Sequence, residues 1–538
     1  MTENIVATNV SAPPKREYTT LECVFAWISL FAGFFFCRLF PIVSKPFANM
    51  IFVFLLFAVT AVFVYIKGAK PNGMSIFALV SSLTLSAALF LSSNSSVHSF
   101  AGMYIAINYL YFVLSSFGNT IENSFSNLII ADYFKALFIM PFVSFADVFC
   151  ALSQGKSRER FKIILKILIG IAIAFVPTVI VVSLLSYDDG FVQILKSIFR
   201  FDFHTIVVNV FSIVFGVPVG MYIFGAFISS SDKKCESALT AQSIRKTAKQ
   251  LRLFSPISAV AASLPILVLY VVFFISQWKY YVSGFVGMLP DNESYAQYAR
   301  DGFFQLCAVA VINFVIMLAL SLFMKRNEKN KSFVLKILSL VFSLFTLILI
   351  STALAKMLLY INRYGLTPKR VYASWFMLVL ALVFIISIFK QFVRRFKIIP
   401  NAIIISVVMF AVVALGGTEE FIAKYNVDRY IEGSLETVDV SVIEDLGDSG
   451  VPQLVRLAKH LDKKNGTSIK KMVKNFDIDL YNSYCEEDRE IYFDLYDNLV
   501  KAFWNMDIEG YKKIDVSSMT LPRIRAENAL KDVGLIKK

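Results

Sequence analysis

Polar and charged side chains inside long apolar runs, or at their ends, are the residues of this sequence best placed to do chemistry. Each must find a partner where water is scarce. Glu22 opens the first apolar run and Arg38 closes it, in Arg38-Leu39-Phe40-Pro41. A carboxylate at that point could act as an intramembrane partner, although an acidic residue is also favoured at a helix N-terminus by the helix dipole. Asn108 and Asn313 fall near the middle of two further runs. A buried amide there either bonds a neighbouring helix or touches a substrate. Lys356, Tyr360 and Arg363 are spaced i, i+4, i+7, which puts them on one helix face. Tyr364 follows them, and Arg370 opens the next run. Lys356 lies roughly 8 Å from the end of its run at 1.5 Å per residue, within snorkelling reach of the interface. The alternative is a basic stripe facing a cavity, with Arg370 joining it, that attracts anions. Arg300 stands at the start of another run. Gly216-Val-Pro218-Val-Gly220 predicts a kink or local break, a feature that lines binding sites in transporters.

Recognisable catalytic motifs are absent. The sequence has no GxxxxGK[ST], GxGxxG, HExxH or GxSxG, and its six cysteines form no CxxC pair. The three histidines, His98, His204 and His460, are far apart in sequence and do not make a metal cluster. No catalytic residue, metal or cofactor is predicted. The C-terminal part carries only Cys485, so it has no disulfide framework of its own.

The elements that must position these residues are membrane spans. Of 538 residues, 57% are hydrophobic and only 17% charged, with 53 Phe; a soluble chain would be nearer one-quarter charged. Apolar runs of about 18–25 residues occur at 20–37, 47–66, 74–93, 99–118, 163–185, 204–227, 257–277, 302–324, 333–361, 370–389 and 399–416. The expected fold is an all-α polytopic bundle of about eleven spans with a small soluble helical tail. The segment 121–152 is also apolar, but it holds Asp132, Lys135, Asp147 and Pro141, which predicts a stretch lying at the interface rather than a span. Residues 1–19 form an N-terminal tail, 20–416 the transmembrane domain and 417–538 the soluble domain. The first run is not a secretory signal, because it continues through Phe34-Phe35-Phe36 without a small-residue cleavage site.

Basic residues sort by side. With eleven spans, connections on the N-terminal side hold 23 Lys and Arg and the opposite connections hold 9. The asymmetry predicts a cytoplasmic N-terminus and an extracellular C-terminal domain in the plasma membrane. Residues 418–538 carry 18 Lys and Arg against 23 Asp and Glu, so the net +14 of the chain resides in the loops. Nucleic-acid binding is therefore not expected; the basic loops instead favour anionic lipid headgroups at the cytoplasmic face. In the tail, Val451-Pro452 opens a run with Leu454, Leu457, Ala458 and Leu461 at helical spacing, and 486–503 repeats the pattern.

Several segments carry a family resemblance. They are Gln277-Trp-Lys-Tyr-Tyr281…Gly284, Tyr295-Ala-Gln-Tyr298-Ala299-Arg300-Asp301-Gly302 and Tyr364-Gly365-Leu366-Thr367-Pro-Lys-Arg370-Val-Tyr372-Ala-Ser-Trp375. The first-span ending Phe36 to Pro41, the tail segments Ile422 to Tyr430 and Asp448 to Leu454 join them. Together they resemble the bacterial polytopic membrane-protein family catalogued as domain of unknown function 4173. The resemblance implies a multi-span architecture in bacteria and no activity. The functional expectation is a non-enzymatic role in envelope sensing, assembly or scaffolding, with the external tail binding a protein partner. A secondary transporter or permease is the alternative, and a membrane enzyme acting on a lipid-linked substrate is the third reading.

Overall fold

The apolar runs become helices wherever they are described. The computed structural model describes residues 16–42, 45–122, 125–153, 203–236, 239–276, 295–325, 328–393, 395–465, 468–475, 495–508, 510–512 and 515–536, with scattered positions between 163 and 187. In chain order, α1 is Thr20–Cys37, α2 Pro46–Ile66, α3 Gly73–Leu91 and α4 Ser95–Ser116. Three short helices follow, α5 Ile129–Phe138, α6 Met140–Val143 and α7 Asp147–Leu152. Then come α8 Phe203–Ser231, α9 Ala241–Gln250, α10 Pro256–Ser276, α11 Tyr295–Phe323, α12 Glu328–Tyr364, α13 Pro368–Phe392 and α14 Ile398–Leu415. The C-terminal segment supplies α15 Thr418–Ile431, α16 Val440–Glu444, α17 Val451–Asn465, α18 Ile469–Asn475, α19 Leu495–Asn505 and α20 Leu521–Asp532.

Among the described residues, ten helices are long and apolar enough to cross a membrane. They coincide with ten of the eleven expected spans; the expected span 163–185 lies outside the described residues except at scattered positions. The protein is an all-α, multi-pass membrane bundle. Phe31, Leu55, Leu269 and Val412 are each more than half exposed on these helices, which suits lipid and would be costly in water. In 121–152 the longest helix, α5, has 10 residues, about 15 Å of rise, half of a hydrocarbon core of roughly 30 Å. Asp132 and Lys135 on it are fully buried.

Local sequence explains the helix starts. Thr19 caps α1 in a reciprocal box with Glu22, Asn72 caps α3, Asn94 caps α4, and Thr367 caps α13 ahead of Pro368. Gly417, at φ 61°, turns the chain from α14 into α15, a left-handed conformation that glycine adopts without strain.

The chain forms two compact units, Met1–Ser44 with Phe134–Cys235 and Lys45–Tyr133 with Glu236–Lys538. In the first, α1 crosses α8 at glycines. A Cβ on Gly33 would meet Gly220 N at 2.5 Å, and one on Gly220 would meet Leu30 Cα at 2.7 Å. Gly216 and Gly220 thus form a GxxxG contact that brings two backbones together. The helix is continuous through Pro218, so of the kink or local break expected there the break does not occur, and the flanking glycines pack against α1. In the second unit, one core joins Phe303, Met357, Ile361 and Met377 of the spans to Ile422, Val427, Leu454 and Phe503 beyond Gly417. The C-terminal helices therefore share a hydrophobic core with α11, α12 and α13.

Candidate functional site: the joint between the spans and the C-terminal helices

The turn between α12 and α13 builds this joint. Gly365 follows the last residue of α12 at φ +75° and donates its N–H to Ile361 O at 2.8 Å. A side chain there would be strained, and its Cβ would meet Asn426 Oδ1 at 2.5 Å. Asn426, buried on α15, grips the next residue from both sides. Its Oδ1 accepts from Leu366 N at 2.7 Å and its Nδ2 donates to Leu366 O at 2.8 Å. One amide thereby satisfies both backbone groups of a buried residue. Arg370 closes the turn from the other end. It donates to Tyr364 O at 3.1 Å and Gly365 O at 2.5 Å, and its guanidinium lies 3.9 Å from the centre of the Tyr360 ring. The carbonyls that α12 leaves unpaired at its C-terminus are thus occupied by a cation.

Further residues of α13 tie in neighbouring elements. Tyr372 donates its hydroxyl to Glu419 Oε1 at 2.7 Å, and Asn94 Nδ2 donates to the same oxygen at 2.9 Å. Glu419, on the first turn of α15, is buried. There its Oε1 accepts both donated hydrogen bonds, as a buried polar oxygen requires. Trp375 donates Nε1–H to Met409 O of α14 at 2.9 Å. Ser93 and Ser449 hydroxyls lie 3.0 Å apart, and His98 Nε2 lies 2.8 Å from Ser92 O. On α15, Arg429 reaches Ile361 O at 3.4 Å and stacks on Tyr425. The segments Tyr364 to Trp375 and Ile422 to Tyr430 meet each other here.

The expected site residues fall in several places. Arg363 makes a two-pronged ion pair with Glu436, at 3.0 and 3.2 Å, and Tyr364 packs edge-on against Tyr360. Lys356, on the same helix face, is buried within the protein. Asn313 is fully buried, accepting from Tyr270 at 2.6 Å and donating to Thr346 at 2.9 Å, so it links α10, α11 and α12. Asn108 donates to Tyr104 O and accepts from Tyr133 at 2.9 Å. Glu22 completes its capping box and accepts from Arg16 at 2.8 Å, while Arg38 donates to Asn209 at 2.6 Å. Arg300 lies in the first turns of α11, and its side chain is outside the described residues. The segment 277–294 is outside them as well. Of the nine, Arg370 bonds the turn directly, Tyr364 supplies one of the carbonyls it holds, and Arg363 pairs with Glu436 beyond α15. Asn426, Glu419, Asn94 and Tyr372 complete the joint, and the sequence offered a local signal only in the Thr367-Pro368 helix start and in Gly365.

Among the described residues, no group of three or more His, Cys, Asp or Glu side chains is arranged to hold a metal ion. Outside the spans, burial and a hydrogen bond to Asp448 push the Tyr511 hydroxyl well above the usual tyrosine range.

Residues 47–457 match the family model described as domain of unknown function (DUF4153). The chain belongs to this family. The resemblance to family 4173 is thereby corrected: the matching model is that of DUF4153, a different family. The matched DUF4153 range contains every joint residue from Asn94 to Ser449, while the first-span ending Phe36 to Pro41 lies outside it. No curated protein and no solved structure matches this DUF4153 chain.

Proposed function

We propose that this DUF4153 protein is a non-enzymatic membrane scaffold or sensor of the bacterial cell envelope, whose spans hold the helical domain 417–538 in a fixed pose for a protein partner. The observation that carries the reading is the grip of Asn426 on both backbone groups of Leu366, beside Arg370 and the Tyr372–Glu419 contact. Polar residues that an enzyme or carrier would keep for substrate are used here to fix one segment on another. The basic asymmetry of 23 against 9 supports a cytoplasmic N-terminus and an extracytoplasmic domain 417–538. On this reading the basic connections face anionic headgroups in the cytoplasmic leaflet. Transport would draw on Asn108, Asn313 and the glycine-rich stretch of α8, but the first two bond neighbouring helices and the glycines pack on α1.

The test compares three proteins in a strain lacking the chromosomal copy: the full chain, a chain ending at Gly417, and Asn313→Leu. The scaffold reading expects the full chain and Asn313→Leu to restore the wild-type phenotype and the truncated chain to fail. Substrate-dependent uptake into proteoliposomes, abolished by Asn313→Leu, would contradict it.

A further inference from the structure

Helix α9 and the residues after it have an unusual composition for the level at which they sit. Ala241–Gln250 begins in a capping box at Thr240 and has no buried residue. Ala241, Ile244, Ala248 and Leu251 recur at helical spacing along one side, and Arg245, Lys246, Lys249 and Arg252 line the adjacent side. No acidic residue occurs between Glu236 and Pro256. Beyond the helix, Leu251, Leu253 and Phe254 are 46%, 67% and 54% exposed. In water such a cluster of bare apolar side chains next to a cationic helix is unfavourable.

Two contacts fix the height of this segment along the bundle. Arg245 pairs with Glu122 in the loop that follows α4. Phe254 exchanges backbone hydrogen bonds with the end of α11, its N–H donating to Phe323 O at 3.1 Å and its carbonyl accepting from Lys325 N at 2.9 Å. The span α10 begins at Pro256, immediately afterwards. The segment therefore lies where spanning helices end, at the boundary between hydrocarbon and headgroups.

We propose that α9 lies in the plane of the membrane interface as a binding site for anionic phospholipid. Leu251, Leu253 and Phe254 enter the acyl-chain region while Lys246, Lys249 and Arg252 hold headgroup phosphates. A helix with a strongly basic side and low overall hydrophobicity is the kind that binds in this way, and basic residues close to the surface draw anionic lipid. The inference extends the reading of the basic connections as headgroup-facing and names one site within them.

The experiment uses the full chain in nanodiscs of mixed phosphatidylcholine and phosphatidylglycerol, with photoreactive benzoylphenylalanine at single positions. Position 55 on α2 is the spanning control and position 242 on the polar side of α9 is the aqueous control. Lipid adducts, read by intact mass, are expected at 251 and 253 as at 55, and not at 242. Phosphatidylglycerol should be over-represented in the adducts at 251 and 253. Lys246→Gln with Lys249→Gln, which leaves the Arg245–Glu122 pair intact, should reduce that preference by about fivefold per lysine removed. Adducts at 55 with none at 251 and 253 overturn the proposal, and so does a preference unchanged by the double substitution. A phosphatidylglycerol preference at Phe392, at the end of α13, with none at 251 would sink the α9 site while leaving the broader reading of the basic connections intact.

Discussion

Replacing Asn426 with alanine removes the clamp at its narrowest point. The amide is buried, and it bonds both Leu366 N and Leu366 O, at 2.7 and 2.8 Å. Leu366 is itself buried, so water does not simply replace the lost bonds. Leaving a buried donor or acceptor unmade costs about 1–3 kcal/mol each. With two such groups, the joint should lose about 2–6 kcal/mol. Asn426→Asp should cost at least as much, because a carboxylate keeps the acceptor for Leu366 N but faces Leu366 O with no donor. Hydrogen exchange by mass spectrometry in nanodiscs reads the effect locally. Each 1.4 kcal/mol is a factor of ten, so protection over 361–367 and 418–431 should fall by roughly 30-fold or more while that of α2 to α4 stays unchanged. If Asn426→Ala leaves exchange across both segments within about threefold of wild type, the clamp contributes little and the reasoning fails.

Three other perturbations test other parts of the fold. Gly220→Leu should destabilise the α1–α8 crossing by about 1–3 kcal/mol or more, since overpacking forces backbone to shift and a Cβ already meets Leu30 Cα at 2.7 Å; thermal unfolding in detergent checks this, and a wild-type melting temperature would refute it. Asn313→Leu should cost about 1–3 kcal/mol in the same unfolding assay, because two interhelical bonds, to Tyr270 and Thr346, are lost at about 0.6–1.7 kcal/mol each. Burial works against the Asp147 carboxylate, but hydrogen bonds from Lys234 and Ser144 outweigh it and hold its carboxyl below the usual range. Such a group adds stability above its unfolded value, about 3.9, and loses it as pH falls through the lower folded value. Wild type should therefore lose more stability between about pH 5 and pH 3 than Lys234→Met does, and equal losses would refute the assignment.

The spans were legible because the bilayer demands long uncharged runs, and ten of the eleven expected segments are spanning-length helices. The start of α13 carries a local signal in Thr367-Pro368, two residues ahead of the expected run at 370–389. The joint was legible only in fragments. Tyr364-Gly365-Leu366-Thr367 and Tyr425-Asn426 stood out as segments, yet nothing local says that Asn426 turns back onto Leu366, 60 positions away. Glu419 is bonded by Asn94, which is 325 positions distant, and no periodicity encodes such a pairing. The basic residues misled in a more instructive way. Arg363 lies in the last turn of α12 and Arg370 in the first turn of α13, a pairing that allowed an anion site beside the interface anchor, but Glu436 and the carbonyls of Tyr364 and Gly365 take them up. The GxxxG of α8 was visible in the sequence, and Pro218 between its glycines drew attention to a break rather than to packing.

The fixed pose of the C-terminal domain is the centre of this account, and a distance measured across the joint tests it most directly. Spin labels carried on p-acetylphenylalanine at the exposed positions 369 on α13 and 459 on α17 leave the native cysteines untouched. In nanodiscs, pulsed electron resonance should return one narrow distance distribution for the full chain and a broad one for Asn426→Ala. A broad distribution in the otherwise unaltered chain would show a domain that moves freely on its spans, and would contradict the scaffold reading at its base.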